Sequence, residues 1–236
     1  MDFCITTFCF GDRYYQQCNR LITDLTKLDN PPLLFVVTDN VDSIFKFDFV
    51  KIVDVKTYNQ NYLNYEKNYY GFDFSVKRYS LKASLGYGFE KIILVDCDAR
   101  VNHQLFTEKN IMDSLIENSI MGQTTYDFNE QIISNSQLGN RLLKYEEVFG
   151  FVCNKNELRF MPEDCIQYFN IKKETFYKVL DDWDKCIEIK YIEGLPNIPA
   201  GNIDEICFCA LKNGVVVGNN SNKSLNIMYP EHDKWY

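Results

Sequence analysis

The aliphatic run Ile92-Ile93-Leu94-Val95, which stops on Asp96-Cys97-Asp98, constrains the fold more than any other stretch of this chain. It is rich in β-branched residues and follows Gly86-Tyr87-Gly88-Phe89-Glu90, so it reads as a strand buried on both faces. Such strands belong to parallel sheets covered by helices. In open sheets of that kind the ligand crevice lies outside the C-terminal ends of the strands, which is where both carboxylates fall. Residues i and i+2 of an extended chain point the same way, so Asp96 and Asp98 can face one hard cation. Taken singly, an aspartate at a strand end also serves as a helix cap or a solvated loop residue.

The flanking pattern agrees with a parallel sheet. Residues 3–10 read as a first strand closed by Gly11-Asp12, and Tyr14, Cys18, Leu21, Leu25 and Leu28 then keep helical spacing. Asn30-Pro31-Pro32 stops that helix before strands over 33–38 and 49–55. Residues 58–74, dense in Tyr and Asn, read as a loop with short helical pieces, and 74–85 as a helix leading into the aspartate strand. Further helices are predicted over 108–117, 138–148 and 204–212, with another marked by Phe176, Val179, Leu180, Trp183 and Ile187. Short strands are predicted at Ile120-Met121 and 215–217. The order predicts an α/β fold in one domain, 1–236, with a mostly parallel mixed central sheet flanked by helices.

Composition removes several functions. A formal charge of −8 and no cluster of five basic residues argue against nucleic-acid binding. Nine cysteines without a C-x-x-C pair read as reduced core residues, which leads one to expect a reducing, cytoplasmic setting. The N-terminus lacks the pattern of a signal peptide, and no run approaches the ~18 apolar residues of a membrane span.

Six places in the chain carry a family likeness, beginning with Thr7-Phe8-Cys9-Phe10-Gly11-Asp12-Arg13-Tyr14, a strand followed by Asp-x-Tyr and a helix. Leu94-Val95-Asp96-Cys97-Asp98-Ala99-Arg100-Val101 is an aliphatic strand, Asp-x-Asp and a following valine, and Arg78 and Lys82 lie on the helix before it. Phe169-Asn170 stands where the family has Phe-Asn-Ala-Gly, and Asp204-Glu205 where it has Asp-Gln. The ending His232-Asp233-Lys234-Trp235 is similar to the family's terminal His-Phe-x-Gly-x-x-Lys-Pro-Trp. On these residues the chain resembles the GT-A-fold glycosyltransferases, most closely the family of glycogenin and the bacterial lipopolysaccharide galactosyltransferases. The resemblance implies a GT-A-like, Rossmann-like fold with a nucleotide-binding half, 1–101, and an acceptor-side half, 102–236.

It also implies an activity: transfer of a hexose from a nucleotide sugar, UDP-linked, to a hydroxyl of a glycan, lipid-linked or protein acceptor, with retention. Asp96, Asp98 and His232 would hold Mn²⁺ or Mg²⁺, with His103 as a competing imidazole. Thr7, Phe8, Tyr14, Arg78, Lys82, Cys97, Asn170 and Lys234 would contact the donor, Tyr14 by stacking on the base and Lys234 at the diphosphate. Asp204 and Glu205 would be the catalytic carboxylates, although carboxylates at a helix start also act as caps. Asp127, Glu163 and Asp164 are lesser expectations for the acceptor. Two rivals remain. Phosphatases with an aspartate nucleophile also carry Asp-x-Asp, but on their first strand, and a binding module could keep the metal site without turnover.

Overall fold

Six consecutive residues without a turn former make β1 (Cys4–Cys9), and all six are buried. Gly11 then takes φ +91°, a backbone region that L side chains rarely enter, and swings the chain into α1 (Asp12–Leu25). Nothing lies within 4 Å of a Cβ built there, so backbone conformation rather than crowding calls for glycine. The helix buries Cys18, Leu21, Ile22 and Leu25 at three-to-four spacing. Pro31-Pro32 precede β2 (Leu33–Thr38), and β3 (Val50–Asp54) follows a short 3₁₀ turn. A second 3₁₀ turn, Phe74–Val76, opens α2 (Lys77–Gly86), which leads to β4 (Lys91–Val95).

The remaining elements are β5 (Ala99–Val101), α3 (Glu108–Ser114), β6 (Ser119–Gly122), β7 (Thr125–Tyr126) and α4 (Ser136–Phe149). They are followed by β8 (Met161–Pro162), β9 (Ile166–Asn170), α5 (Lys173–Ile192), α6 (Gly201–Lys212), β10 (Val216–Asn219) and β11 (Met228–Pro230). This computed structural model describes residues 1–58, 74–122, 125–126, 136–154, 157, 161–162, 165–195, 201–219 and 227–230.

Seven strands from both halves of the chain form the central sheet in the order β10-β6-β9-β4-β1-β2-β3. Every neighbouring pair is parallel except those made by β9, which runs antiparallel to both β4 and β6. The expected mixed, mostly parallel sheet flanked by helices is therefore present, and it is Rossmann-like. Sequence patterning missed β9: Phe169-Asn170 were expected to be a binding motif and instead end a central strand, Ile166–Asn170.

The two sheet faces carry separate cores. On one, Phe8, Leu94, Ile120 and Phe169 pack under Leu81 and Leu85 of α2, Trp183 of α5 and Phe208 of α6. On the other, Ile5, Ile93, Val95 and Tyr168 pack under Cys18, Leu21 and Ile22 of α1. Outside the sheet, β5 and β11 pair antiparallel with Pro230 opposite Ala99, and Arg100 clamps β5 to α1 through a bidentate pair with Asp24 at 2.5 and 3.0 Å. No helix among the described residues is long and apolar enough to cross a membrane.

Candidate active site

The half-sheet order β3-β2-β1-β4 puts a switch of winding direction between β1 and β4, and open sheets bind ligands outside the carboxyl ends of strands at such a point. The end of β1 delivers Phe10, Gly11 and the start of α1 to this crevice; the end of β4 delivers Asp96-Cys97-Asp98. The strand stops at Val95, and the pair straddles a turn in which Ala99 N donates to Asp96 O at 3.0 Å. Extended-chain alternation is therefore not what presents the two carboxylates. A turn tied to β9 does so, with Asp96 N donating to Cys165 O at 2.9 Å.

Cys97 points the other way. Its thiol is buried against α1, 3.7 Å from Gln17 Oε1, and burial, together with Cys9, Asp96 and Asp98, pushes it well above the ordinary thiol range. It stays protonated and anchors the turn; its side chain is packed into the α1 layer.

The basic partner of the pair is Lys77, which sequence reasoning passed over. Its side chain is 1% exposed, and its Nζ lies 2.7 Å from Asp96 Oδ1 and 5.6 Å from the centre of the Phe8 ring. Phe8, one of the expected donor contacts, is thus a buried platform under the ammonium. Arg78 and Lys82 were expected here. Successive helix residues are ~100° apart, so Arg78 cannot share the direction of Lys77, while Lys82 shares that of Arg78. Both reach α5: Arg78 Nε is 2.9 Å from Asp184 Oδ1, and Lys82 Nζ pairs with Asp184 Oδ2. Arg78 also donates to Ser75 O at 2.7 Å and Tyr79 Oη at 2.7 Å. A signal for Lys77 existed, because Lys77, Leu81 and Leu85 keep the four-residue spacing of the buried stripe.

Tyr14 stands with the carboxylates. It is 37% exposed, and its phenol is pushed up by burial, by the neighbouring Cys97 and by the charges of Asp98 and Asp96, against the lowering effect of Arg13. An aromatic ring open to solvent in the field of the pair suits base stacking. Thr7 is fully buried on β1; its carbonyl accepts from Ser80 Oγ at 2.9 Å, and its hydroxyl has no hydrogen-bond partner among the described residues.

Three expectations are corrected. Asn170 pairs with Lys91, the first residue of β4, so it lies about 16 Å along the strand from Asp96, at the opposite pole. There its Nδ2 donates to Leu115 O at 2.8 Å. Glu205 is 0% exposed and accepts from Tyr145 Oη at 3.1 Å, Trp183 Nε1 at 3.0 Å and Lys190 Nζ at 3.0 Å, with Arg141 at 4.0 Å. Both oxygens tie α6 to α4 and α5, which makes Glu205 a structural carboxylate. His103 lines a pocket of about 340 Å³ with Met1, Phe3 and Leu28, near the amino end of β1 and away from the pair.

Asp204 lies on α6, but its side chain, like Asp127, Glu163, Asp164, His232 and Lys234, is outside the described residues. Pro230, two residues before His232, pairs with Ala99, and two residues span at most about 7 Å. For a divalent cation, Asp96 and Asp98 supply hard oxygen donors of the right kind. Among the described residues no group of three His, Cys, Asp or Glu side chains that could hold a metal ion converges. Compared with known proteins, the chain matches no family model and no curated sequence.

Proposed function

We propose that this chain is a metal-dependent glycosyltransferase of the GT-A type, moving a hexose from a nucleotide sugar, with UDP as the nucleotide, to an acceptor hydroxyl. One observation carries the reading. Asp96 and Asp98 sit at the switch point between β1 and β4, with Lys77 buried behind them and Tyr14 open beside them. A nucleoside diphosphate needs those elements together: a surface for the base, oxygen ligands for a cation, and fixed positive charge near the phosphates.

A bound Mn²⁺ or Mg²⁺ would offset the charge that builds on the diphosphate as it leaves. The residues of this chain do the rest. Lys77 pairs with Asp96 and fixes it, Cys97 holds the turn, and Tyr14 offers its ring to the base. His232 is proposed as the third ligand because its tether begins beside Ala99. With Glu205 enclosed, Asp204 is the carboxylate proposed near the anomeric carbon, and retention rests on the family resemblance. Nine free cysteines suit a reducing compartment, and we place the enzyme in the cytoplasm. A phosphatase with an aspartate nucleophile fits less well, since the motif stands on the fourth strand and Arg100 behind it is engaged by Asp24.

The test is thermal stabilisation by UDP-, GDP- and ADP-sugars, with and without Mn²⁺. A metal-dependent rise for one nucleotide class, lost in Asp98→Asn, is expected. No shift with any of them, together with turnover of a generic phosphate ester, refutes the transferase. Binding without any donor hydrolysis leaves the non-catalytic module.

A further inference from the structure

Gln167 is a polar residue in the middle of a central strand. It stands opposite Leu94 in β4 and Gly122 in β6, and it is 2% exposed. Its Nε2 is buried and has no hydrogen-bond partner among the described residues. A buried amide left in that state destabilises a fold, and an apolar side chain of the same length would not. Native structures keep few such groups, and each calls for a reason.

Its position supplies one. Residues directly opposite in an antiparallel pair share a sheet face, so Gln167 lies on the face of Leu94, which α2 covers and from which Lys77 of α2 reaches Asp96. Asp96 lies about 7 Å beyond Leu94, just past the end of β4. On the other flank Gly122 carries no side chain to meet the amide. Two further buried groups without a hydrogen-bond partner among the described residues, Thr7 Oγ1 and Tyr168 Oη, lie on strand positions facing the α1 layer and do not share this setting.

We infer that Gln167 is a specificity-determining contact for the sugar, its amide N–H donating to a hydroxyl oxygen of the hexose of a nucleotide sugar. This rests on the glycosyltransferase reading above and adds which residue distinguishes sugar nucleotide from nucleotide. A site that hydrogen-bonds a ligand hydroxyl discriminates strongly because its own polar group is otherwise left unmet.

The experiment is calorimetric titration with Mn²⁺ of wild type and Gln167→Met. The ligands are UDP-glucose, UDP-galactose, GDP-mannose and ADP-glucose, each against its own nucleoside diphosphate. Methionine conserves length, so the variant should melt at or above the wild-type temperature. Affinity for the nucleoside diphosphate should stay within about twofold, while affinity for the sugar nucleotide falls about three- to tenfold. A merely structural role would move the two affinities together or not at all, and that result overturns the inference while leaving the proposed function standing. Wild type that binds none of the nucleotide sugars overturns both. Should Gln167→Met fold poorly, Gln167→Asn keeps the amide but retracts it by one methylene, and the same split between the two ligands is required.

Discussion

Replacing Lys77 by methionine probes the site through stability, with no need to know the substrate. The substitution keeps an apolar stem over Phe8 and removes the ammonium 2.7 Å from Asp96 Oδ1. Breaking a fully buried pair by removing one partner costs about 3–5 kcal/mol, because the remaining charge is uncompensated. Lys77 is 1% exposed but Asp96 is 24% exposed, so water screens part of that loss and about 2–3 kcal/mol is the fitting range. For a chain of this size that corresponds to a fall of about 4–12 °C in melting temperature. Mn²⁺ should then stabilise Lys77→Met more than wild type, because a divalent cation at Asp96 no longer competes with the ammonium. Calorimetric melting with and without Mn²⁺, together with the cycle through Asp96→Asn and the double variant, measures both effects. A variant as stable as wild type refutes the buried pair. An equal Mn²⁺ shift in both proteins refutes Asp96 as a cation ligand.

Two further substitutions separate structural carboxylates from functional ones. Glu205→Gln keeps shape but withdraws the charge that Lys190 faces at 3.0 Å, so urea unfolding should report a loss of about 3 kcal/mol; full stability with loss of turnover would instead make Glu205 catalytic. Arg100→Leu tests Asp24, whose burial favours the neutral acid but whose hydrogen bonds from Arg100 and Lys27 outweigh that and hold its carboxyl below the ordinary value. A depressed folded pKa adds stability that is complete above the unfolded value near 3.9 and is lost as pH falls through the folded value. The variant lacks most of that contribution, so its acid unfolding should begin at higher pH than wild type, and coincident acid transitions would count against the clamp.

Elements that fold on local pattern were legible in the chain. β2 and β4 are continuous apolar runs between turn formers, and each appears within a residue of its expected bounds; α1 announces itself by spacing but ends at Leu25, three residues before Leu28. β9 was not legible, because a strand carrying Gln167 inside and Asn170 at its end has neither the alternation of a half-exposed strand nor the run of a buried one. It is fixed by pairing with β4 and β6, partners far away in sequence. Its direction explains the misplaced Asn170. In a parallel strand the last residue faces the crevice, whereas β9 runs antiparallel and sends Cys165 there and Asn170 to the other pole. Lys77 was hidden for a different reason: helix phase separates it from Arg78 by ~100°, and three basic residues within six positions look like one solvated stripe until a partner fixes which of them turns inward.

That inward turn bears on how an acidic chain can hold an anion. With a formal charge of −8, the far field of the protein repels a nucleoside diphosphate, and at physiological salt this field is screened beyond about 8 Å. For the proposed nucleotide-sugar donor, attraction would have to arise at short range, where low polarisability makes each fixed charge count for more. A surface lysine could not supply it, being screened and mobile. Lys77 is neither: Phe8 supports it, Asp96 orients it, and only 1% of its side chain is exposed. Its cost is an internal ion pair at one of the two carboxylates of the proposed cation site. With a cation bound there, Asp98 would be the firmer ligand, and Asp96 would be the residue through which the cation and the lysine act on one another.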